Sequence, residues 1–320
     1  MPELTIGKRR GLAQCSGDRG TLSLLALDHR NNLRKALRPE APAEVGDGEL
    51  TAFKREAVAA LAGEATAVLL DPEFGAAQCI ASGSLPGDRG LIVALERTGY
   101  GADPHARESR VLEGWAVSKI RRMGASAAKL LVYYHPAAST AAKIEELVRA
   151  VARECAREDL LLVLEPLSYN PDPASGPLSA EARQRVIIET ARRLVGPGVD
   201  VLKAEFPAAA DDEPRWLAAC EELTAASRAP WILLSAAADF EVFLRQTEIA
   251  CRAGASGVAV GRAVWNEATR LAGPERAAFL TGPARRRMAL VTSLCAERAR
   301  PWSALYPAPE VDPRWFSRYE

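Results

Sequence analysis

Short apolar runs recur eight times along this chain, each separated from the next by a longer stretch in which apolar residues return every three or four positions. That alternation points to parallel strands covered by helices, because a parallel strand is buried on both faces whereas a covering helix buries one. The predicted strands lie at 21–28 (TLSLLALD), 67–71 (AVLLD), 91–95 (LIVAL), 128–133 (AKLLVY), 160–165 (LLLVLE), 199–205 (VDVLKAE), 231–235 (WILLS) and 258–261 (VAVG). Between them, 140–157 places Ile144, Leu147, Val148 and Val151 on one helical face, and 181–194 does the same with Val186, Ile187 and Leu194. Gly124, the Gly196, Pro197, Gly198 run, Pro230 and Gly254 punctuate the junctions before strands. Eight β-α units in about 270 residues are the size of one (β/α)8 barrel. A doubly wound sheet is the alternative, but no G-x-G-x-x-G turn follows the first strand. The expected architecture is therefore an α/β (β/α)8 TIM barrel, a single domain over 1–300. An aromatic and proline-rich tail over 301–320 is expected to pack on the barrel or on a neighbouring subunit.

Composition narrows the partners. At 320 residues and 48% hydrophobic content the chain has enough apolar material for one large core. Lys plus Arg equals Asp plus Glu at 41 each, and the charges are dispersed, which argues against nucleic acid. The basic start MPELTIGKRRGLAQC is followed by no apolar signal core, and no run approaches the ~18 apolar residues that span a bilayer. A cytoplasmic protein with no membrane partner is expected, and a homo-oligomer is allowed. Cys15, Cys79, Cys155, Cys220, Cys251 and Cys295 are widely spaced with no C-x-x-C pair, so reduced core thiols are expected. With His29, His105 and His135 the only imidazoles, a metal would have to be held by carboxylates; neither metal nor cofactor is expected. Loops at 85–90 and 171–177 (PDPASGP) break the rhythm, the second directly after a strand end where an active-site loop would lie.

Ionisable residues inside or at the end of apolar strands need a reason. Asp28, Asp71, Glu96, Glu165 and Arg262 fall at strand ends, and Lys129, Lys203 and Glu205 within strands. In a barrel these ends converge on one mouth. The lysines are the sharpest signal, since the chain has seven against 34 arginines, yet two sit in AAKLLVYY and DVLKAEFP. Lys, unlike Arg, can lose its proton and attack as an amine. Lowering a lysine pKa from about 10.4 to about 7 takes roughly 4 to 5 kcal/mol, which burial and a second cation can supply. The alternative is an interior ion network in which both lysines merely pair with Asp28, Glu165 and Glu205. Glu165 could shuttle protons at the mouth, or only orient Lys203. Glu205, two residues from Lys203, is expected on the same side of its strand, holding the lysine or transferring protons. Near the last two strands, LLSAAAD offers Ser235 and backbone N–H groups around Ala236, and GVAVGRAVW offers Gly261 and Arg262, a phosphate-binding combination.

Taken together and in order, LALDHR, LLDPEFG, ALERTGYG, KLLVYY, LEPL, DVLKAEFP, PWILLSA and GRAVW resemble the class I tagatose-1,6-bisphosphate aldolase family, which includes the sulfofructose-1-phosphate aldolases. The resemblance runs from about residue 22 to 265 and implies a TIM barrel, no metal, and dihydroxyacetone phosphate as one product. It implies that Lys203 forms the Schiff base, that Glu165 is the acid/base carboxylate, and that Lys129 is the second lysine. Asp28 would handle the substrate hydroxyl. Ser235 and Arg262 would hold the dihydroxyacetone phosphate end, with Ala236, Gly261, Arg30 and His29 beside the substrate. The family commonly has Gln where this chain has His29 and Gly where it has Ala237, and Asn31 and Asn32 also differ, which bears on the far end of the sugar.

The expected activity is cleavage of a phosphorylated ketose, tagatose-1,6-bisphosphate-like, to dihydroxyacetone phosphate and an aldehyde such as glyceraldehyde 3-phosphate. The alternatives are a sulfofructose-1-phosphate aldolase, a non-catalytic sugar-phosphate sensor, and a carboxylate-held metal enzyme on the same barrel.

Overall fold

A computed structural model describes residues 4–101, 103–172, 174–208, 212–236 and 238–319. Eight strands close into one barrel in sequence order, each parallel to its neighbours. They are β1 (Leu22–Leu27), β2 (Ala67–Leu70), β3 (Gly90–Ala94), β4 (Ala127–Tyr134), β5 (Leu161–Ser168), β6 (Val201–Ala204), β7 (Trp231–Leu234) and β8 (Gly257–Val260). Helix α1 (Ile6–Cys15) precedes the barrel; α2 (Asn31–Leu37) and α3 (Asp47–Leu61) follow β1; α4 (Ala76–Ala81) follows β2. Then come α5 (Val117–Arg122), α6 (Ala141–Arg157), α7 (Ala180–Leu194), α8 (Glu213–Ala226) and α9 (Phe240–Arg252), one before each of β4 to β8. The four-residue α10 (Arg262–Trp265), α11 (Gly273–Phe279) and α12 (Arg285–Arg298) complete the ring.

Strand periodicity divides the apolar residues into two cores. Leu25, Leu27, Val68, Leu70, Val93 and Leu130 face outward and pack with the helices. Leu24, Leu69, Ile92, Val163, Val201 and Ile232 face inward and fill the lower barrel. The ring closes where Leu22 pairs with Gly257. Gly257 has φ +139°, and a Cβ there would lie 1.7 Å from the Leu22 carbonyl oxygen, so closure requires glycine.

The strand ends differ from the sequence expectation chiefly at β5, which runs on through Pro166 to Ser168. Leu162 exchanges hydrogen bonds with Asp200, and the Ser168 N–H donates to Glu205, so even-numbered positions of β5 address the β6 side. Strand β6 has stopped pairing at Leu164↔Leu202, and Pro166 therefore gives up no ladder bond there. On the other side β4 and β5 stay paired over eight positions, from Ala127↔Leu161 to Tyr134↔Ser168. All six cysteines are free and buried. Among the described residues no helix is long and apolar enough to cross a membrane.

The end of the barrel away from the strand C-termini is plugged by α1 and by the segment after α12. Lys8 of α1 donates to Asp200 at 2.8 Å with both side chains buried, and the Asp200 carboxylate also accepts from Leu162 N. The Tyr306 hydroxyl donates to the Asp200 carbonyl at 3.1 Å, and Trp302 and Tyr306 join the inner core. Farther along the tail, the Tyr319 hydroxyl accepts from Gly7 N and donates to Asp159, while Phe316 stays exposed.

Asp200→Ala leaves the Lys8 ammonium buried without its partner, an expected cost of about 3 to 5 kcal/mol. Denaturant unfolding should show this as a lowered midpoint, and pairing the change with Lys8→Met should restore most of the loss.

Candidate active site

The inward parity that fills the lower barrel with Ala26, Ile92, Ala127, Val163 and Val201 continues upward into ionisable residues. Two or four positions further along the same strands stand Asp28, Glu96, Lys129, Glu165 and Lys203. Their charges therefore meet on the barrel axis at the C-terminal mouth. They line a cavity of about 610 Å³ whose wall also includes Tyr100, Arg107, Tyr133, Ser235 and Arg262.

Lys129 is fully buried among three carboxylates. Its Nζ donates to Asp28 Oδ2 at 2.8 Å and to Glu96 Oε1 at 2.7 Å, and lies 2.9 Å from Glu165 Oε2. Burial alone would strip its proton, but Asp28, Glu165 and Glu96 together hold its pKa well above the ordinary lysine value. Lys129 is thus a permanent cation, and the anions around it respond. Burial would raise the Asp28 carboxyl, yet Lys129 first and then Lys203 hold it well below the usual carboxylate range. Glu165 is likewise lowered against burial by Lys129 and Lys203.

Lys203 points into the cavity from β6, its Nζ 2.7 Å from Glu165 Oε1 and its side chain only 6% exposed. Glu165 therefore bridges the two lysines, one oxygen to each, and a proton leaving Lys203 has an acceptor at hydrogen-bond distance. Among the described residues Glu165 Oε2 accepts no hydrogen bond of good geometry, so its hold on Lys129 is that of an ion pair.

Across the mouth, Gly261 N donates to Ser235 Oγ at 3.2 Å, joining the ends of β7 and β8. Ala236 beside it is held at φ +44°, a left-handed conformation costly for alanine. Ala237 lies outside the described residues, as does Pro173 of the 171–177 loop. Arg262 has no carboxylate within ion-pair distance among the described residues, and burial lowers its pKa. A half-buried, unpaired guanidinium beside a strained turn is suited to an incoming anion.

The other sequence candidates separate into two groups. Arg30 and His29 border the cavity. Arg30 is clamped from both sides, donating to Glu73 at 2.5 Å and to the Glu96 carbonyl at 2.7 Å. Glu205 does not hold Lys203: its carboxylate accepts from Arg183 at 2.8 Å and from Ser168 N at 2.7 Å. Beyond Ala204 the strand has ended, and the nearby α7 guanidinium captures the side chain. Asp71 does not face the mouth either, but pairs with the buried Lys54 of α3 and accepts from Glu73 N and Phe74 N. Glu96 is the residue whose importance was missed. It was noted as a strand-end charge without a role, yet it touches Lys129 and accepts from Leu131 N at 3.0 Å. Its even spacing from Ile92 was the available signal.

A family model described as DeoC/LacD family aldolase matches residues 22–267. Tagatose 1,6-diphosphate aldolase of Streptococcus agalactiae is 31% identical over 282 residues, covering 82% of this chain and 86% of that protein. The Listeria monocytogenes protein of the same name is 29% identical over 337 residues, covering 96% of each. Among solved structures, an archaeal fructose 1,6-bisphosphate aldolase superposes with a TM-score of 0.58 at 23% identity, covering 89% of this chain and 99% of that one. Fructose-bisphosphate aldolase from Plasmodium falciparum gives 0.69 at 15% identity, covering 93% and 97%. At such identities these two structures bear on the fold alone.

Because Asp28 and Glu165 have folded pKa values below their unfolded ones, they stabilise the protein above about pH 4 and lose that contribution as pH falls through the folded values. Lys129→Met should cost about 3 to 5 kcal/mol at pH 7. It should also invert the trend, since carboxylates crowded without their cation have raised values and the variant then gains stability on acidification. Unfolding midpoints measured from pH 7 down to about pH 2 check both signs, the variant's gain beginning at the higher pH and the wild type's loss falling below about pH 4.

Proposed function

The chain belongs to the DeoC/LacD family of aldolases and is a carbon–carbon lyase, and from that premise we propose that it cleaves a phosphorylated ketose through a Schiff base on Lys203. The observation that carries the assignment is the Glu165 carboxylate bridging Lys203 and Lys129 inside the cavity. Lys129 is locked in ion pairs with three carboxylates, whereas Lys203 is ion-paired with Glu165 alone among the described residues and borders the cavity.

In this reading Lys203 passes its proton to Glu165 and attacks the ketose carbonyl, and Glu165 returns protons as the carbinolamine loses water. The resulting iminium draws in the electron pair of the bond between the third and fourth carbons. The proton of the fourth-carbon hydroxyl goes to Asp28, an aldehyde departs, and the enamine of dihydroxyacetone phosphate remains on Lys203. Asp28 is a weak base in the empty cavity because Lys129 and Lys203 face it. Cleavage converts the iminium to a neutral enamine, so the nearby positive charge vanishes at the moment a proton is released, and the proton affinity of Asp28 rises in step.

Orientation follows from the two cationic sides of the mouth. The phosphate nearest the carbonyl is assigned to Ser235, Ala236, Gly261 and Arg262, with Arg30 and His29 alongside. The far end then points toward β3 and β4, where Arg107 sits 4.5 Å from the Tyr100 ring centroid, 5.2 Å from Tyr133 and 4.9 Å from Tyr169. A guanidinium caged by aromatic rings and paired with no carboxylate among the described residues suits a distal phosphate. Together with the names of its relatives, this favours a tagatose-1,6-bisphosphate-like substrate yielding dihydroxyacetone phosphate and glyceraldehyde 3-phosphate. Such sugar phosphates do not cross a bilayer unaided, which supports a reaction in the cytoplasm.

Borohydride added with dihydroxyacetone phosphate should fix the ligand irreversibly on Lys203, read as a mass increase on the peptide that contains it. Lys203→Arg should abolish labelling and lower kcat by more than about 10³-fold. Labelling that persists in that variant would refute the assignment.

A further inference from the structure

His29 stands where Asp28 and the phosphate-binding turn come closest. Its Nδ1 is 4.0 Å from Asp28 Oδ1, too far for a hydrogen bond. Its Cε1, which lies between the two ring nitrogens, is 3.1 Å from the point where a Cβ on Gly261 would sit. The ring is held edge-on against Trp265, centroids 5.2 Å apart, and Trp265 is fixed in turn by its indole N–H donating to the Ala26 carbonyl at 3.1 Å. Among the described residues neither imidazole nitrogen has a hydrogen-bond partner, and Nδ1 is buried. A rigid imidazole with two idle nitrogens, set between a carboxylate and an anion seat, is poised to carry charge only when the seat is filled.

We propose that His29 takes up a proton when the substrate phosphate docks against Ser235, Gly261 and Arg262, so that phosphate binding is coupled to pH through this one side chain. The inference rests on the placement of that phosphate given above, and goes beyond it in assigning His29 a charge that changes on binding.

The groups facing the ring explain both states. Without ligand, burial is the largest influence and Arg262, Lys203 and Lys54 add to it; Asp28 opposes them, and the pKa falls to about 4. The imidazole is then neutral at physiological pH. A docking phosphate brings up to two negative charges against the ring, offsets Arg262, and turns the site into an anion pair with a gap between its members. An imidazolium filling that gap would donate an N–H to the phosphate and face the Asp28 carboxylate as a counter-charge 4.0 Å away. Gln, which the family commonly has at this position, could donate to phosphate but could not change charge.

The sign follows from linkage. A group neutral in the free protein and protonated in the complex makes binding tighter at low pH. Between the free and bound pKa values, Kd rises about tenfold per pH unit.

The test uses glycerol 3-phosphate, which lacks a carbonyl and forms no imine. Calorimetry in buffers of different ionisation enthalpy counts the protons taken up near pH 6.5, for the wild type and for His29→Gln. The phosphate's own protons are common to both, so the difference belongs to His29. The wild type should take up close to one proton more, and its Kd relative to the variant should climb as pH rises from 5. Equal proton counts, or no binding of glycerol 3-phosphate at millimolar concentration, would overturn the proposal. Because the chain has three histidines, imidazole ¹⁵N spectra of the wild type answer the question without any variant: His29 should convert from neutral to charged on ligand addition, and a ring that stays neutral refutes it. Trapping with dihydroxyacetone phosphate and borohydride keeps the two ideas apart. Successful trapping with equal proton counts sinks the role of His29 alone, whereas failed trapping with proton uptake sinks the Schiff base alone.

Discussion

The ammonium of Lys129, enclosed by Asp28, Glu96 and Glu165, is the interaction on which the rest of the mouth depends. Three carboxylates brought together on a barrel axis repel one another and pay a desolvation penalty of several kcal/mol each. A covalently tethered cation at their centre makes the cluster tolerable, and it occupies the place a divalent ion would take in a carboxylate-based site. With Lys129 spoken for, Glu165 is held ionised and aimed by its second oxygen at Lys203. The surroundings of Lys203, the proposed nucleophile, are therefore set by a second lysine held in ion pairs.

Chemistry and stability are kept at opposite ends of the same strands. Asp200 and Lys203 are three residues apart, yet one is sealed beneath α1 and Tyr306 while the other opens into the cavity. The lower interior is apolar and closed by aromatic residues from the C-terminal segment. The upper interior is charged and opens into the cavity. A four-residue strand such as β6 spans both regimes, and the backbone that carries Lys203 is braced from below.

Much of this was legible in the sequence, because burial on both faces leaves parallel strands almost wholly apolar and makes each interruption conspicuous. Lys129, Lys203, Glu165 and Asp28 stood out for that reason and do meet. The misreadings share a cause, since they concern residues whose partners come from distant elements. Nothing local to Glu205 announces Arg183 on α7, and nothing near Asp71 announces Lys54 on α3. Glu96 was undervalued because its partners, Lys129 and Leu131 N, lie on the next strand. Lysine scarcity alone does not single out a reactive amine. Four of the seven lysines are buried, but Lys8 and Lys54 are tied to Asp200 and Asp71 and do not line the cavity. Burial selects candidates, the cavity narrows them to Lys129 and Lys203, and the three carboxylates around Lys129 leave Lys203 as the proposed nucleophile.

The same economy has a consequence on the outside. With four lysines enclosed, the side-chain amines exposed to solvent are those of Lys35, Lys119 and Lys143, while surface positive charge is carried by arginine. Aldehydes condense readily with primary amines and only sluggishly with guanidinium groups. An aldolase releases an aldehyde at each cleavage, so this chain shows its own product a coat almost devoid of targets, and under the proposed mechanism imine chemistry is confined to the interior.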